Sequence, residues 1–161
     1  MGARMSYEDL NPNAQMWVDA LRSGEYSQTH NRLRNAKPDT PGYGYCCLGV
    51  ACDKFAEITG DGSWELFADN PDPKKGVAQW PEVFRSHTDS EDYSETDLTY
   101  NVKEWLGLRS MSGAFTHPAY PDIPDSLARM NDRGCSFEEI ADMIESKPVG
   151  LFVNESDGEE S

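Results

Sequence analysis

Three of the chain's four cysteines fall within seven residues, in Tyr45-Cys46-Cys47-Leu48-Gly49-Val50-Ala51-Cys52-Asp53. Thiols this close can ligate a metal, attack an electrophile as thiolate, or fill a core as small apolar groups. Structural zinc draws on four ligands, commonly in Cys-x-x-Cys pairs, whereas here the cysteines are separated by zero and by four residues. Cys135, His87 and His117 would complete a site only if the fold gathered them, so neither a metal nor another cofactor is expected. A nucleophile is the second reading. Cys46 or Cys47 at a helix N-terminus would gain thiolate character, His87 or His117 would be its base, and Asp125 or Asn131 would orient the imidazole, in the chain order that papain-like folds use. The third reading is buried packing. Neighbouring Cys46 and Cys47 could bond only through a strained ring, so no disulfide framework is expected.

A second group of residues suits binding rather than catalysis. Tyr26, Gln28, His30, Arg32 and Arg34 precede the cysteines, and Asn131-Asp132 lies near the far end of the chain. Arginine grips phosphate or carboxylate with two parallel bonds, and Gln and Asn read amide or base edges. Tyr26, Gln28, Arg32, Arg34, Asn131 and Asp132 are therefore the candidate ligand-binding set, for a small anionic or nucleotide-like molecule. The competing reading is that the arginines neutralise nearby carboxylates.

These residues need elements to position them. Met16, Trp17, Ala20 and Leu21 recur at helical spacing, which predicts a first helix over 13–23 with Asn11 or Asn13 as cap, Pro12 in the first turn and Gly24 as the stop. Cys47, Val50, Ala51, Phe55 and Ile58 make one face of a second helix over 45–58, ended by Thr59-Gly60-Asp61-Gly62. On such a helix the three thiols do not converge on one point. A strand or hairpin is expected near Trp64–Phe67, a helix over 98–106 and another over 125–130, joined by an extended segment through Pro118, Pro121 and Pro124. Ser136 and Glu139 form a capping box for a last helix with Phe137, Ile140, Ala141 and Ile144 on its apolar stripe, stopped by Pro148. A terminal strand is expected at 151–153. The fold class is α+β, mainly α: one compact domain of several short helices and a small β element. Residues 1–10 are expected to be a flexible N-terminus, 11–153 the globular domain and 154–161 a flexible acidic tail.

At 161 residues the chain is the size of one domain, and four Trp, six Phe and seven Tyr supply a core despite 37% hydrophobic content. Neither a long apolar run nor a basic-then-apolar leader is present, so a cytoplasmic, non-membrane protein is expected. The formal charge is −15, from 29 acidic and 14 basic residues. Such a chain repels phosphate backbones, and direct nucleic-acid binding is not expected. An acidic surface could instead imitate DNA, but the acids fall in blocks, Asp89–Asp97 and Glu155–Glu160, the pattern of solvated segments.

The segments Trp17-Val18-Asp19-Ala20-Leu21-Arg22-Ser23-Gly24-Glu25-Tyr26-Ser27-Gln28, Leu33-Arg34, Tyr45 to Asp53, and Leu127-Ala128-Arg129-Met130-Asn131-Asp132-Arg133-Gly134-Cys135-Ser136-Phe137-Glu138-Glu139-Ile140-Ala141-Asp142 together resemble a family of small, uncharacterised bacteriophage proteins. They cover about a third of the chain, in the same order. After Tyr-x-Gln that family has a Gly-containing turn where this chain has Thr29-His30-Asn31, and the acidic run Asp89–Asp97 lies outside the resemblance. The resemblance implies a non-enzymatic accessory protein of the infected cell, which binds and inhibits or sequesters a host component in host takeover or anti-defence. A small-molecule or nucleotide-binding protein, and a cysteine-dependent enzyme using Cys46 or Cys47 with His117, are the alternatives.

Overall fold

In the computed structural model, which describes residues 7–36, 42–66 and 82–153, helix formation follows the capping signals closely. Helix α1 (Pro12–Arg22) starts behind Asn11, whose side chain accepts from the Ala14 amide at 2.8 Å, with Pro12 where no intrahelical donor is needed. Helix α2 (Cys47–Thr59) starts behind Cys46 and ends at Gly60, whose φ of 77° is the left-handed stop. Helix α3 (Tyr100–Leu106) is capped by Thr99, α4 (Leu127–Asp132) by Ser126, and α5 (Phe137–Glu145) by the Ser136–Glu139 capping box.

The strands are short and more numerous than expected. They are β1 (Ser27–Gln28), β2 (Arg34–Ala36), β3 (Tyr43–Tyr45), β4 (Ser63–Leu66), β5 (Glu82–Arg85), β6 (Tyr93–Ser94), β7 (Ala114–Thr116) and β8 (Pro124–Ser126). They form three small sheets, ordered β1-β3-β2, β4-β5-β6 and β7-β8. In the first, β1 runs parallel to β3 with Ser27 opposite Gly44, and β2 runs antiparallel with Asn35 opposite Gly44. The other two are antiparallel, with Trp64 opposite Phe84 and Phe115 opposite Asp125. The expectation of a mainly α domain with one small β element is thus corrected: this is an α+β domain in which helix does not dominate. Strands of two to four residues are too short to display an alternating pattern, so periodicity had nothing to read. The proline-rich connection holds the β7–β8 hairpin. The terminal strand reduces to one bridge between Leu108 and Phe152, extended by the Arg109 amide donating to the Leu151 carbonyl.

The helices enclose the core. Trp17, Leu33, Leu48, Phe84, Leu106, Leu127, Ile140 and Leu151 are fully buried, and α1 lies against both α2 and α5. Arg22, in the last turn of α1, ties that helix to α5 by pairing with Glu138, Asp142 and Glu145. Tyr7 donates to Asp19 and Leu10 is buried, so packing begins ahead of residue 11. Residues 1–6, 37–41, 67–81 and 154–161, which hold the expected acidic tail and the first six residues of the expected flexible N-terminus, lie outside the described residues. Among the described residues no helix is long and apolar enough to cross a membrane.

Candidate functional site

The N-terminus of α2 is where the residues singled out by type and spacing meet. Cys46 has extended backbone (φ −83°, ψ 173°) and acts as the cap, its Sγ accepting from the Gly49 amide at 3.4 Å. Its own amide donates to the Leu33 carbonyl at 3.0 Å, which draws the strand-bearing segment against the helix. Gly49 permits the approach: a Cβ there would sit 1.9 Å from the Leu33 oxygen. Cys47, the first residue of α2, donates its amide to Asn131 Oδ1 at 3.1 Å and accepts from the Trp17 indole at 2.9 Å, while its Sγ reaches the Leu127 carbonyl at 3.5 Å.

Asn131 is the hub. It has no exposed surface, and its Oδ1 also accepts from Gln28 Nε2 at 2.9 Å while its Nδ2 donates to the Thr29 carbonyl at 2.7 Å. Gln28 donates in addition to the Cys135 carbonyl at 2.8 Å. Next to it, Asp132 accepts from the Asn31 amide at 2.8 Å. Asn31 adopts φ 70°, the left-handed region that glycine favours and asparagine tolerates best among other residues. This answers for the turn after Tyr-x-Gln: Asn31 supplies the left-handed conformation, and Asp132 holds its amide.

Tyr26 is held by a different acceptor. Its hydroxyl donates to Asp53 at 2.8 Å, and Asp53 also accepts from the Trp64 indole at 3.1 Å. Tyr45 packs edge-on to both Tyr26 and Trp64. Burial and the Asp53 carboxylate both push the Tyr26 phenol upward, so it stays protonated and donating. Arg32 pairs with Glu95 at 2.9 Å, and the Arg34 guanidinium lies 3.8 Å from the Tyr43 ring centre and 4.7 Å from that of Trp64. Of the six candidate binding residues, the structure therefore joins Gln28 to Asn131 directly and places Asp132 beside them. Tyr26, Arg32 and Arg34 are held by separate partners.

The thiols are sealed. Cys46 is 4% exposed and Cys47 and Cys52 are fully buried. Burial pushes the Cys46 thiol up to about 12, outweighing the Gly49 and Leu48 amides, and drives Cys47 and Cys52 well above the ordinary thiol value. The helix N-terminus sits where the nucleophile reading requires it, but desolvation of the thiolate is the larger effect. The hydrogen-bond partners of the Cys46 and Cys47 sulfurs among the described residues are the Gly49 amide and the Leu127 carbonyl, not an imidazole. His117 instead packs between Phe115 and Tyr120 and accepts from the Ala119 amide, and His87 is an exposed residue. Asp125 is held by Arg133 through two bonds of 3.0 and 2.8 Å. Among the described residues, no three His, Cys, Asp or Glu side chains are grouped so as to hold a metal ion.

Outside this junction the surface is acidic. Arg22, Arg32, Lys54, Arg85, Lys103 and Arg133 each pair with a carboxylate, leaving Glu25, Glu91, Asp122 and Glu139 among the exposed acids. The run Asp89–Asp97, expected as a solvated segment, is partly built into the fold. Asp92 accepts from the Tyr100 and Asn101 amides at the start of α3, and Glu95 pairs with Arg32. Two features escaped sequence reasoning. Asp53 is a shared acceptor for Tyr26 and Trp64, and Arg129 and Arg133 flank a cavity beside the β7–β8 hairpin. Their i, i+4 spacing in the late motif was the available signal for the latter.

The fold and the junction define a small α+β domain whose signature polar residues fasten the chain to itself around buried thiols. The chain belongs to the family described as Domain of unknown function (DUF8296), whose family model matches residues 12–148. That span runs from the first residue of α1 to the proline after α5, and it includes the acidic segment Asp89–Asp97. No curated protein and no solved structure matches the chain.

Proposed function

We propose that the protein acts by binding, not by catalysis, and that it inhibits or sequesters a basic component of a host cell as a phage accessory factor. The observation that supports this most is the division between interior and surface. Cys46 and Cys47 are enclosed and held as thiols, while Arg22, Arg32, Lys54, Arg85, Lys103 and Arg133 are already paired and an excess of carboxylates among the described residues faces solvent. An excess of exposed carboxylates attracts a cationic partner and repels nucleic acid, by a field that salt weakens. The host and phage parts of the reading come from the resemblance of the Trp17–Gln28, Tyr45–Asp53 and Leu127–Asp142 segments to small bacteriophage proteins.

The test is quantitative affinity measurement against host proteins captured from the cytoplasm, at about 0.05 M and about 0.5 M salt. The expected result is a defined partner with a basic surface whose affinity falls steeply at the higher salt and is unchanged by Cys46→Ser. A partner that binds equally at both salt concentrations would remove the electrostatic reading. A phenotype that disappears in Cys46→Ser or Cys47→Ser while the melting temperature holds would point to thiol chemistry instead.

A further inference from the structure

The turn between β7 and β8 and the outer side of α4 enclose a cavity of about 300 Å3, bounded by His117, Tyr120, Ile123, Asp125, Arg129 and Arg133. We propose that this cavity binds a small anion carried on a planar ring, such as an aromatic carboxylate or an aryl phosphate. The inference is independent of the partner-binding reading, because it concerns a basic spot on an acidic surface.

Charge is the first support. Arg133 holds both oxygens of Asp125, so that pair is neutral as a unit. Arg129 gives one Nη to the Pro124 carbonyl at 3.0 Å and has no carboxylate within 4 Å among the described residues. In a chain of charge −15, where Arg22, Arg32, Arg85 and Arg133 are paired with carboxylates, a guanidinium kept for a backbone carbonyl has donor capacity left for a carboxylate or phosphate. Shape is the second. Tyr120 and Ile123 are 61% and 60% exposed, large apolar side chains held at the cavity mouth. The His117 and Tyr120 rings lie 5.3 Å apart with 48° between their planes, and the Phe115 ring continues the row at 6.2 Å from His117. His117 Nδ1 accepts from the Ala119 amide, so a neutral imidazole carries its hydrogen on Nε2 and is a further donor. A ring entering here meets the His117 and Tyr120 rings together with the Arg129 and Arg133 guanidinium groups, which share the lining.

Size and rigidity complete the case. The volume is at the lower end for small-molecule sites, which suits a single ring or nucleobase and excludes a dinucleotide. The walls are fixed before any ligand arrives. The Tyr120 amide donates to the His117 carbonyl and the Ile123 amide to the Tyr120 carbonyl, while the Asp125–Arg133 and Pro124–Arg129 bonds lock the hairpin to α4.

Calorimetric titration of the full chain with phenyl phosphate, benzoate, cyclohexanecarboxylate and inorganic phosphate tests this, with Arg129→Gln and Tyr120→Ala as variants. Phenyl phosphate or benzoate should bind at least about tenfold more tightly than inorganic phosphate or cyclohexanecarboxylate. The preferred one of the two identifies the anionic group. Arg129→Gln should weaken that binding about tenfold or more with an unchanged melting temperature, since it gives up one surface bond. Tyr120→Ala should erase the preference for the aromatic probe. Absence of binding at millimolar phenyl phosphate and benzoate, equal affinity for inorganic phosphate, or full affinity in folded Arg129→Gln would each overturn the proposal.

Discussion

Truncating Asn131 to alanine should be among the most destabilising single changes in the chain, and the cost follows from three bonds. Cys47 is the first residue of α2, so its amide has no acceptor within the helix and relies on Asn131 Oδ1 at 3.1 Å. Cys47 has no exposed surface, so water does not replace that acceptor. Leaving a buried amide unpaired costs about 1–3 kcal/mol. The half-buried Thr29 carbonyl loses its donor, at about 1 kcal/mol, and the lost side-chain volume adds about 1 kcal/mol. Gln28 is less exposed to loss, because it keeps its bond to the Cys135 carbonyl. The sum is about 3–5 kcal/mol, against a total stability of about 5–15 kcal/mol for a folded domain. It corresponds to a fall in Tm of roughly 10 °C. Urea unfolding followed by tryptophan fluorescence measures it directly, since Trp17 donates to the carbonyl of the same Cys47. Gln28→Ala should cost less than half as much, and the double variant should show a coupling of about 0.5–3 kcal/mol. An Asn131→Ala loss below about 1 kcal/mol with an unchanged m value would refute the claim that this amide fastens α2, β1 and α4 together.

Gly49→Ala should destabilise by about 3 kcal/mol or yield insoluble protein, because the new Cβ would meet the Leu33 backbone instead of a movable side chain; expression and Tm decide it. Titration of the native protein with a thiol reagent near pH 8 should label Cys135 rapidly and the other three cysteines only on unfolding, and fast labelling of Cys46 would contradict its burial. Asp125 is held below the usual carboxylate range, chiefly by the hydrogen-bonded Arg133 guanidinium, so as the pH falls below about 4 the unfolded chain takes up that proton first. The stability difference between the parent and Arg133→Gln should therefore be full at neutral pH and shrink as acid is added, read as Tm against pH; a constant difference would mean that the pair is not what lowers Asp125.

The helices were legible because each carries its own punctuation. Asn11 with Pro12 and the Ser136–Glu139 pair mark starts and Gly60 marks a stop within the segment itself, whereas the caps Thr99 and Ser126 lie inside helices that were expected to begin two residues earlier. The sheets were not, because their pairings are non-local and too short for a pattern. Ser27-Gln28 becomes a strand only by lying beside Gly44-Tyr45, and the β7–β8 hairpin is hidden in a segment whose prolines read as extended loop. The cysteine cluster was legible as unusual but not as buried, since burial is set by distant contacts that spacing does not encode. Gln28 and Asn131 were chosen as ligand binders by residue type; in the structure they bond to each other, Cys47, Thr29 and Cys135, 84 to 107 residues apart along the chain.

That last point separates two kinds of polar residue on α4. Short ladders and helix starts leave backbone groups for side chains to satisfy, so Asn131, Gln28 and Asp92 complete bonding that the local elements do not supply. Polar identity in these motifs is then explained by folding and is no argument for catalysis. Arg129 and Arg133, in and just after the same short helix, are exposed and take part in no such bridge between distant segments; their partners are Pro124 and Asp125 next door. Asn131 fixes where α4 lies, and α4 fixes where the two guanidinium groups stand. Loss of Asn131 should therefore weaken ligand binding only together with stability, whereas loss of Arg129 should weaken binding alone. If the two effects could not be separated in this way, the cavity and the junction would have to be one structural unit.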